Sequence, residues 1–302
     1  MKKQGIISKL WGVVYPPVLY MLIQEIVAFV FIFLAVIITE ILLSVKGISL
    51  GTDELTEFII NNVYNSLSLW LIAISALLTM PFVINAFNKD TKAKKQMPGY
   101  VRYKRVSPFK YLLIVPFAVC GMYAGSLVSN ILSMVMPSWF YESYSGVEDA
   151  LYSGSIYLQI AVIVIIAPLI EEMIFRVLVY NRIKRMSNVK AAAILSALFF
   201  GVFHLNFVQG VYAFIIGILL VYVYEKYKSM WAPFVFHASA NGFSLLISTL
   251  ATDSADTSDI VTSDIFYLLS LIAVTVVASI FTFGFGMLIK EKVKPEVVVG
   301  EQ

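Results

Sequence analysis

Charge is what this chain most lacks. Asp, Glu, Lys and Arg supply 14% of its 302 residues, hydrophobic types supply 60%, and mean hydropathy is +0.85. No soluble domain of this length carries so apolar a composition, so a membrane is the solvent that fits it. Cysteine occurs once, as Cys120, which excludes an intramolecular disulfide and leaves a thiol packed within an apolar run. Histidine occurs only at His204 and His237. No Gly-x-Ser-x-Gly segment is present, which removes the serine elbow of many hydrolases. Nor is there an internal repeat of the kind that builds two-halved transporters.

What the chain has is apolar length. A helical crossing needs roughly 20 mostly apolar residues, and about eight stretches qualify: 18–45, 67–87, 111–136, 155–180, 191–205, 210–224, 231–250 and 265–288. The first follows Lys2, Lys3 and Lys9, contains Gln24 and Glu25, exceeds a signal-peptide core and shows no small-residue cleavage site. It reads as an uncleaved anchor. Before it, residues 5–14 set Lys9 among Ile, Leu and Trp, which suits a short interfacial helix ending ahead of Pro16 and Pro17.

The loops alternate in sign. Basic residues precede the first stretch, fill 89–110 (Lys89, Lys92, Lys94, Lys95, Arg102, Lys104, Arg105, Lys110), and follow the fourth (Arg182, Lys184, Arg185, Lys190), sixth (Lys226, Lys228) and eighth (Lys290, Lys292, Lys294). The intervening loops carry Asp53, Glu54 and Glu57, then Glu142, Glu148 and Asp149, then Asp253, Asp256, Asp259 and Asp264; Lys46 alone breaks the pattern. Lysine and arginine mark the cytoplasmic side. The expected architecture is therefore an all-α, polytopic transmembrane helix bundle of about eight spans, both termini cytoplasmic, forming a single integral membrane domain over 1–302 with a motif-bearing core at 155–250. The basic 89–110 loop is explained by topology and contact with the lipid surface, so nucleic acid is not an expected partner. The expected location is a multi-pass cell membrane, and the compact Lys-rich chain reads as bacterial.

An ionisable side chain in hydrocarbon costs about 2.5 to 3.5 kcal/mol on insertion scales, so each one needs a reason. Here they gather in the fourth, fifth and seventh stretches: Glu171, Glu172 and Arg176, then His204, then His237 with the amide Asn241. Glu172 and Arg176 are four apart, share a helix face with the acid first, and should pair. Glu171 is turned about 100° from Glu172 and about 140° from Arg176, which leaves its carboxylate for chemistry. His237 and Asn241 also share a face. Neutral histidine and asparagine can both donate hydrogen bonds to an oxyanion, while a carboxylate and a histidine on other helices could polarise a water.

The segments Glu171-Glu172-Met173-Ile174-Phe175-Arg176, Phe200-Gly201-Val202-Phe203-His204 and His237-Ala238-Ser239-Ala240-Asn241 resemble the three motifs of the CAAX-protease and bacteriocin-processing (CPBP, Abi) family of intramembrane glutamic endopeptidases. The resemblance covers roughly 155–250. It implies an intramembrane peptidase without a cofactor, acting on a membrane-associated peptide or protein. Glu171 and His204 would activate water, His237 and Asn241 would stabilise the tetrahedral intermediate, and Glu172 with Arg176 would support the site. The rival readings are a zinc-dependent membrane metallopeptidase, built on the histidines and a glutamate, and a non-catalytic scaffold or bacteriocin immunity protein in which the polar cluster holds helices together.

One count resists the site. Measured from the basic side, Glu171 is about 9 residues deep, His237 about 6 to 8 and His204 about 14, a mismatch of roughly 7 to 12 Å at 1.5 Å per residue. A fifth helix that starts beyond the membrane, or strong tilt, would absorb it.

The topology has a direct test. In a Cys120→Ser background, a Ser254→Cys variant should react with an impermeant thiol reagent on intact cells. Labelling only after the membrane is opened would contradict the assigned sides.

Overall fold

The computed structural model describes residues 5–59, 63, 65–137, 146–147, 150–253, 264–289, 293 and 295–296. Within these, helices α1 (Ile6–Val45), α2 (Thr52–Ile59), α3 (Asn65–Lys95) and α4 (Ile114–Val135, entered through a 3-10 turn at Pro108–Leu113) precede a composite rod. That rod, α5, runs over 156–186. It is followed by α6 (Val189–Val202), α7 (Phe207–Tyr227), α8 (Trp231–Asp253) and α9 (Asp264–Leu288). The acidic residues Glu142, Glu148, Asp149, Asp256 and Asp259, and Lys290, Lys292 and Lys294, lie outside the described residues.

Among the described residues, four helices are long and apolar enough to cross a membrane: Ile6–Val45, Ser66–Lys95, Pro108–Leu132 and Phe207–Tyr227. The fifth expected span differs. Its helix, α6, has 14 residues, about 21 Å, against a hydrocarbon core of about 30 Å. The outer faces suit lipid: Phe29, Trp70, Leu77, Leu198, Phe281 and Phe283 are among many large apolar side chains left exposed.

At the centre of the bundle is α5, touched by α1, α3, α6, α7 and α8, while α4 packs on α7, α8 and α9. Ile170, Ile174, Phe175, Leu178, Leu220, Phe236 and Ala240 form part of the resulting core. α5 is not uniform. α-Helical turns at Ile156–Gln159, Ala167–Glu172 and Asn181–Met186 alternate with π-helical segments at Ile160–Ile166 and Met173–Tyr180.

The expected break before Pro16 and Pro17 does not occur, because α1 runs straight through both. A helical proline lacks an N–H and so leaves the carbonyl four residues earlier without its bond. For Pro16 that carbonyl belongs to Gly12, and Arg182 Nη1 donates to it. A donor from α5 thus lets α1 stay helical where the sequence pattern alone predicts an end.

Arg182 also pairs with Asp90 at 2.8 Å, and Arg185 reaches the same carboxylate at 3.0 Å. Nearby, Lys184 meets Glu225 at 2.7 Å and the Tyr227 hydroxyl donates to the Lys110 carbonyl at 2.8 Å. A two-residue antiparallel ladder pairs Arg102–Tyr103 (β1) with Pro295–Glu296 (β2). These contacts gather the start of α1, the end of α3, the 102–110 loop, the end of α5, the α7–α8 turn and the C-terminal ladder at one end of the bundle. They are the segments whose basic residues assign them to one side in the sequence.

Glycine sets the α6–α7 approach. A Cβ on Gly201 would sit 2.5 Å from the Gly210 carbonyl oxygen, and one on Gly210 would sit 3.0 Å from that of Gly201. Backbone on both sides cannot yield, so Gly201→Ala should push the helices apart and cost about 1 to 3 kcal/mol, the usual range for overpacking. Thermal unfolding in detergent should show a lowered midpoint for Gly201→Ala and none for Gly284→Ala, whose Cβ meets nothing within 4 Å.

Candidate active site

The hairpin of α5 and α6 resolves the depth mismatch. α5 continues beyond its apolar run to Met186, and the chain turns at Ser187–Asn188, where Asn188 Oδ1 caps α6 by accepting from the Ala191 amide. Glu171 lies 16 residues before Ser187 and His204 lies 16 residues after Asn188. Equal residue counts on the two sides of the turn bring Glu171 and His204 to the same cavity. The extra residues are the α5 turn Asn181–Met186 and the first turn of α6.

Glu172 sits fully buried at the end of an α-helical turn of α5. Its Oε2 lies 3.1 Å from Arg176 Nε, an ion pair rather than an aligned hydrogen bond, and its Oε1 accepts from His237 Nδ1 at 2.9 Å. The Arg176 guanidinium lies over the Phe200 ring at 4.3 Å, and Nη1 and Nη2 have no hydrogen-bond partner among the described residues. Glu172 and the ring face are therefore what balance this charge away from water. The pairing was legible from the i, i+4 spacing; the second job of Glu172, holding His237, was not, because no local spacing links residues 65 apart.

Phe200 is the other residue the sequence understated. Its ring meets His204 edge-on at 4.9 Å, His237 at 5.7 Å and Phe175 at 5.1 Å. It therefore separates the two histidines and fixes both planes. A phenylalanine one turn before a membrane histidine was the available signal.

Each histidine has one nitrogen committed. His204 Nδ1 lies 2.7 Å from the Phe200 carbonyl, which can only accept, so Nδ1 carries the proton and the Nε2 lone pair is left open. His237 Nδ1 donates to Glu172 in the same way, and His237 Nε2 stands 3.8 Å from Glu171 Oε2, beyond a direct hydrogen bond. This corrects the expectation for neutral His237. With its proton on Nδ1, the neutral ring can only accept at Nε2 and donates there only as imidazolium.

Asn241 is also partly committed. In the π-helical segment the Ala167 amide bonds back five residues to Val162, so the next carbonyl, Ile163, is due a bond from residue 168. That residue is Pro168, which has no N–H. Asn241 Nδ2 fills the gap, donating to Ile163 O at 2.9 Å. One amide hydrogen remains for other work.

Glu171, His204, His237 and Asn241 all line one cavity of about 610 Å³, walled also by α1, α3 and α7. Glu171 keeps a side-chain exposure of 20% where Glu172 has none. Among the described residues no group of three or more His, Cys, Asp or Glu side chains is arranged to hold a metal ion.

Comparison with known proteins reaches the same core. Residues 153–243 match the family model described as Type II CAAX prenyl endopeptidase Rce1-like. A Bacillus subtilis (strain 168) protein named "Putative membrane peptidase YdiL" is 27% identical over 90 residues, covering 30% of this chain and 37% of that relative. No solved structure matches the chain.

The buried pair has a measurable consequence. Arg176→Met leaves the buried Glu172 carboxylate with His237 alone, and losing one partner of a buried ion pair costs about 3 to 5 kcal/mol. The unfolding midpoint of the detergent-solubilised protein should fall accordingly, and the double variant Glu172→Gln, Arg176→Met should recover much of the loss. An unchanged midpoint in the single variant would show that the pair does not brace the fold.

Proposed function

We propose that this chain is a membrane peptidase of the CAAX-protease and bacteriocin-processing family, a reading that the match over residues 153–243 supports, and that it cleaves peptide bonds by direct attack of a water activated by Glu171. The observation that supports this most is the division between neighbouring carboxylates. Glu172 is occupied on both oxygens by Arg176 and His237, and Glu171 faces the cavity.

In this reading a water sits between the Glu171 carboxylate and the open Nε2 of His204. Glu171 takes its proton as it attacks the scissile carbonyl carbon, and His204 Nε2 accepts the water's other hydrogen bond and fixes its lone pair on the carbon. The carbonyl π electrons move to oxygen, and the oxyanion is held by the remaining Asn241 N–H and by Nε2–H of the His237 imidazolium, whose positive charge Glu172 balances. The proton on Glu171 then passes to the leaving amine as the C–N bond breaks. Burial of Arg176 and Phe200 behind these groups keeps them in place without bulk water.

The substrate is a membrane-associated peptide or protein. The chain crosses the bilayer about eight times with both termini in the cytoplasm, within a bacterial plasma membrane. The gathering of the basic loops, β1 and β2 at one end of the bundle supports that arrangement.

Cleavage by the purified protein tests the mechanism. Glu171→Gln should abolish turnover with little change in the unfolding midpoint, since glutamine keeps the shape and cannot take the proton. Asn241→Ala should lower kcat by about 10² to 10³, the usual loss for one oxyanion donor. Stoichiometric zinc in active wild type, lost in both His204→Ala and His237→Ala, would overturn the glutamate mechanism in favour of a metallopeptidase. Turnover surviving Glu171→Gln would do so as well.

A further inference from the structure

The matched core ends well short of α1, yet α1 supplies part of the cavity wall. Tyr20, Gln24, Glu25 and Ala28 all line it. Tyr20 is buried and close enough to interact electrostatically with the Glu171 carboxylate, which places this part of α1 against the reacting end of the cavity. Glu25 follows five residues on, about 7.5 Å further along the helix axis.

Glu25 has no need to be there for the fold. It lies inside α1, one of the helices apolar enough to cross a membrane, where a carboxylate costs about 2.5 to 3.5 kcal/mol on insertion scales. It is exposed at the cavity rim, and no ion pair holds it among the described residues. The cavity lining contains two carboxylates, Glu25 and Glu171, and among the described residues neither lysine nor arginine. Arg176, the cation nearest Glu171 in sequence, is bound to Glu172 outside the lining. His237 stands 3.8 Å from Glu171, so Glu25 is the lining carboxylate that no cation of the site faces, and its negative field at the rim is focused by low-dielectric walls.

A second observation, on the facing helix, points to a ligand. Ser75 of α3 is fully buried, lines the cavity, and its Oγ has no hydrogen-bond partner. A buried hydroxyl left without a partner costs free energy, and a peptide backbone in the cavity would supply one. An extended peptide advances about 3.3 Å per residue, so the separation of Glu25 from Tyr20 corresponds to two or three residues.

We propose that Glu25 is a specificity-determining residue that binds a lysine or arginine side chain of the substrate two to three residues from the scissile bond, with the peptide extended between α1 and α3. The inference rests on the peptidase reading for the scissile bond, and on the cavity alone for the cationic site.

The test walks one lysine along an otherwise neutral apolar peptide, with norleucine at the same position as the reference. Binding is read by fluorescence anisotropy on the full chain in nanodiscs carrying Glu171→Gln, and cleavage by mass spectrometry on the wild type. One register should bind about tenfold more tightly than its norleucine counterpart, and cleavage should fall two to three residues from the lysine. Glu25→Gln should bring that ratio to about 1, and Glu25→Lys should favour a glutamate at the same register. If no register exceeds norleucine, or if the preference survives Glu25→Gln, the inference is overturned. A lysine preference without cleavage would remove the peptidase reading and leave the cationic site standing. Cleavage with no preference would remove only the cationic site.

Discussion

The carboxylate of Glu172 is shared between a guanidinium and an imidazole in a place that water does not reach, and the arrangement of the site depends on that sharing. Oε2 holds Arg176 and Oε1 holds His237. Removing charges from water is costly, and the cost is offset only when each has close partners. Arg176 meets this condition with one carboxylate oxygen and the face of Phe200. The same carboxylate fixes which nitrogen of His237 carries its proton, and so what the opposite nitrogen can do toward Glu171. Two adjacent glutamates thus come to differ completely in environment through one helical step of about 100°.

A second constraint is the backbone itself. Inside an apolar bundle each carbonyl needs a donor, and proline withholds one. Pro16 leaves Gly12 to Arg182, which ties α1 to the end of α5. Pro168, within a π-helical register, leaves Ile163 to Asn241, which ties the middle of α5 to α8. Both gaps are filled by side chains from other helices. What looks like local irregularity is therefore cross-bracing, and in the second case it aligns the amide proposed to hold the oxyanion.

Much of this was legible in the sequence because its signals are local. The apolar runs give the helices, the alternation of loop charge matches the gathering of Asp90, Arg182, Arg185 and Lys110 at one end, and the spacing of Glu172 and Arg176 gives their pair. Other features depend on packing that no single segment encodes. The 3.6-residue period assumed for α5 fails over Ile160–Ile166 and Met173–Tyr180, and so hides the Asn241 contact. A proline pair that should end a helix is tolerated because Arg182 arrives from 170 residues away. The level of His204 was left open between a fifth helix that starts beyond its span and strong tilt, because hydropathy gives span ends and not the place of the turn, which lies at Ser187–Asn188.

Glu171 and Glu172 are neighbours that do different work, and their reactivity toward a membrane-permeant carbodiimide tests this most directly. Applied to the folded protein with a nucleophilic amine, followed by peptide mass spectrometry, the reagent should modify Glu171, which keeps 20% side-chain exposure in the cavity, and spare Glu172, which has none. Loss of peptidase activity should track modification of Glu171 one for one. Preferential modification of Glu172, or full activity in protein whose Glu171 is quantitatively modified, would contradict the division of roles on which the mechanism is built.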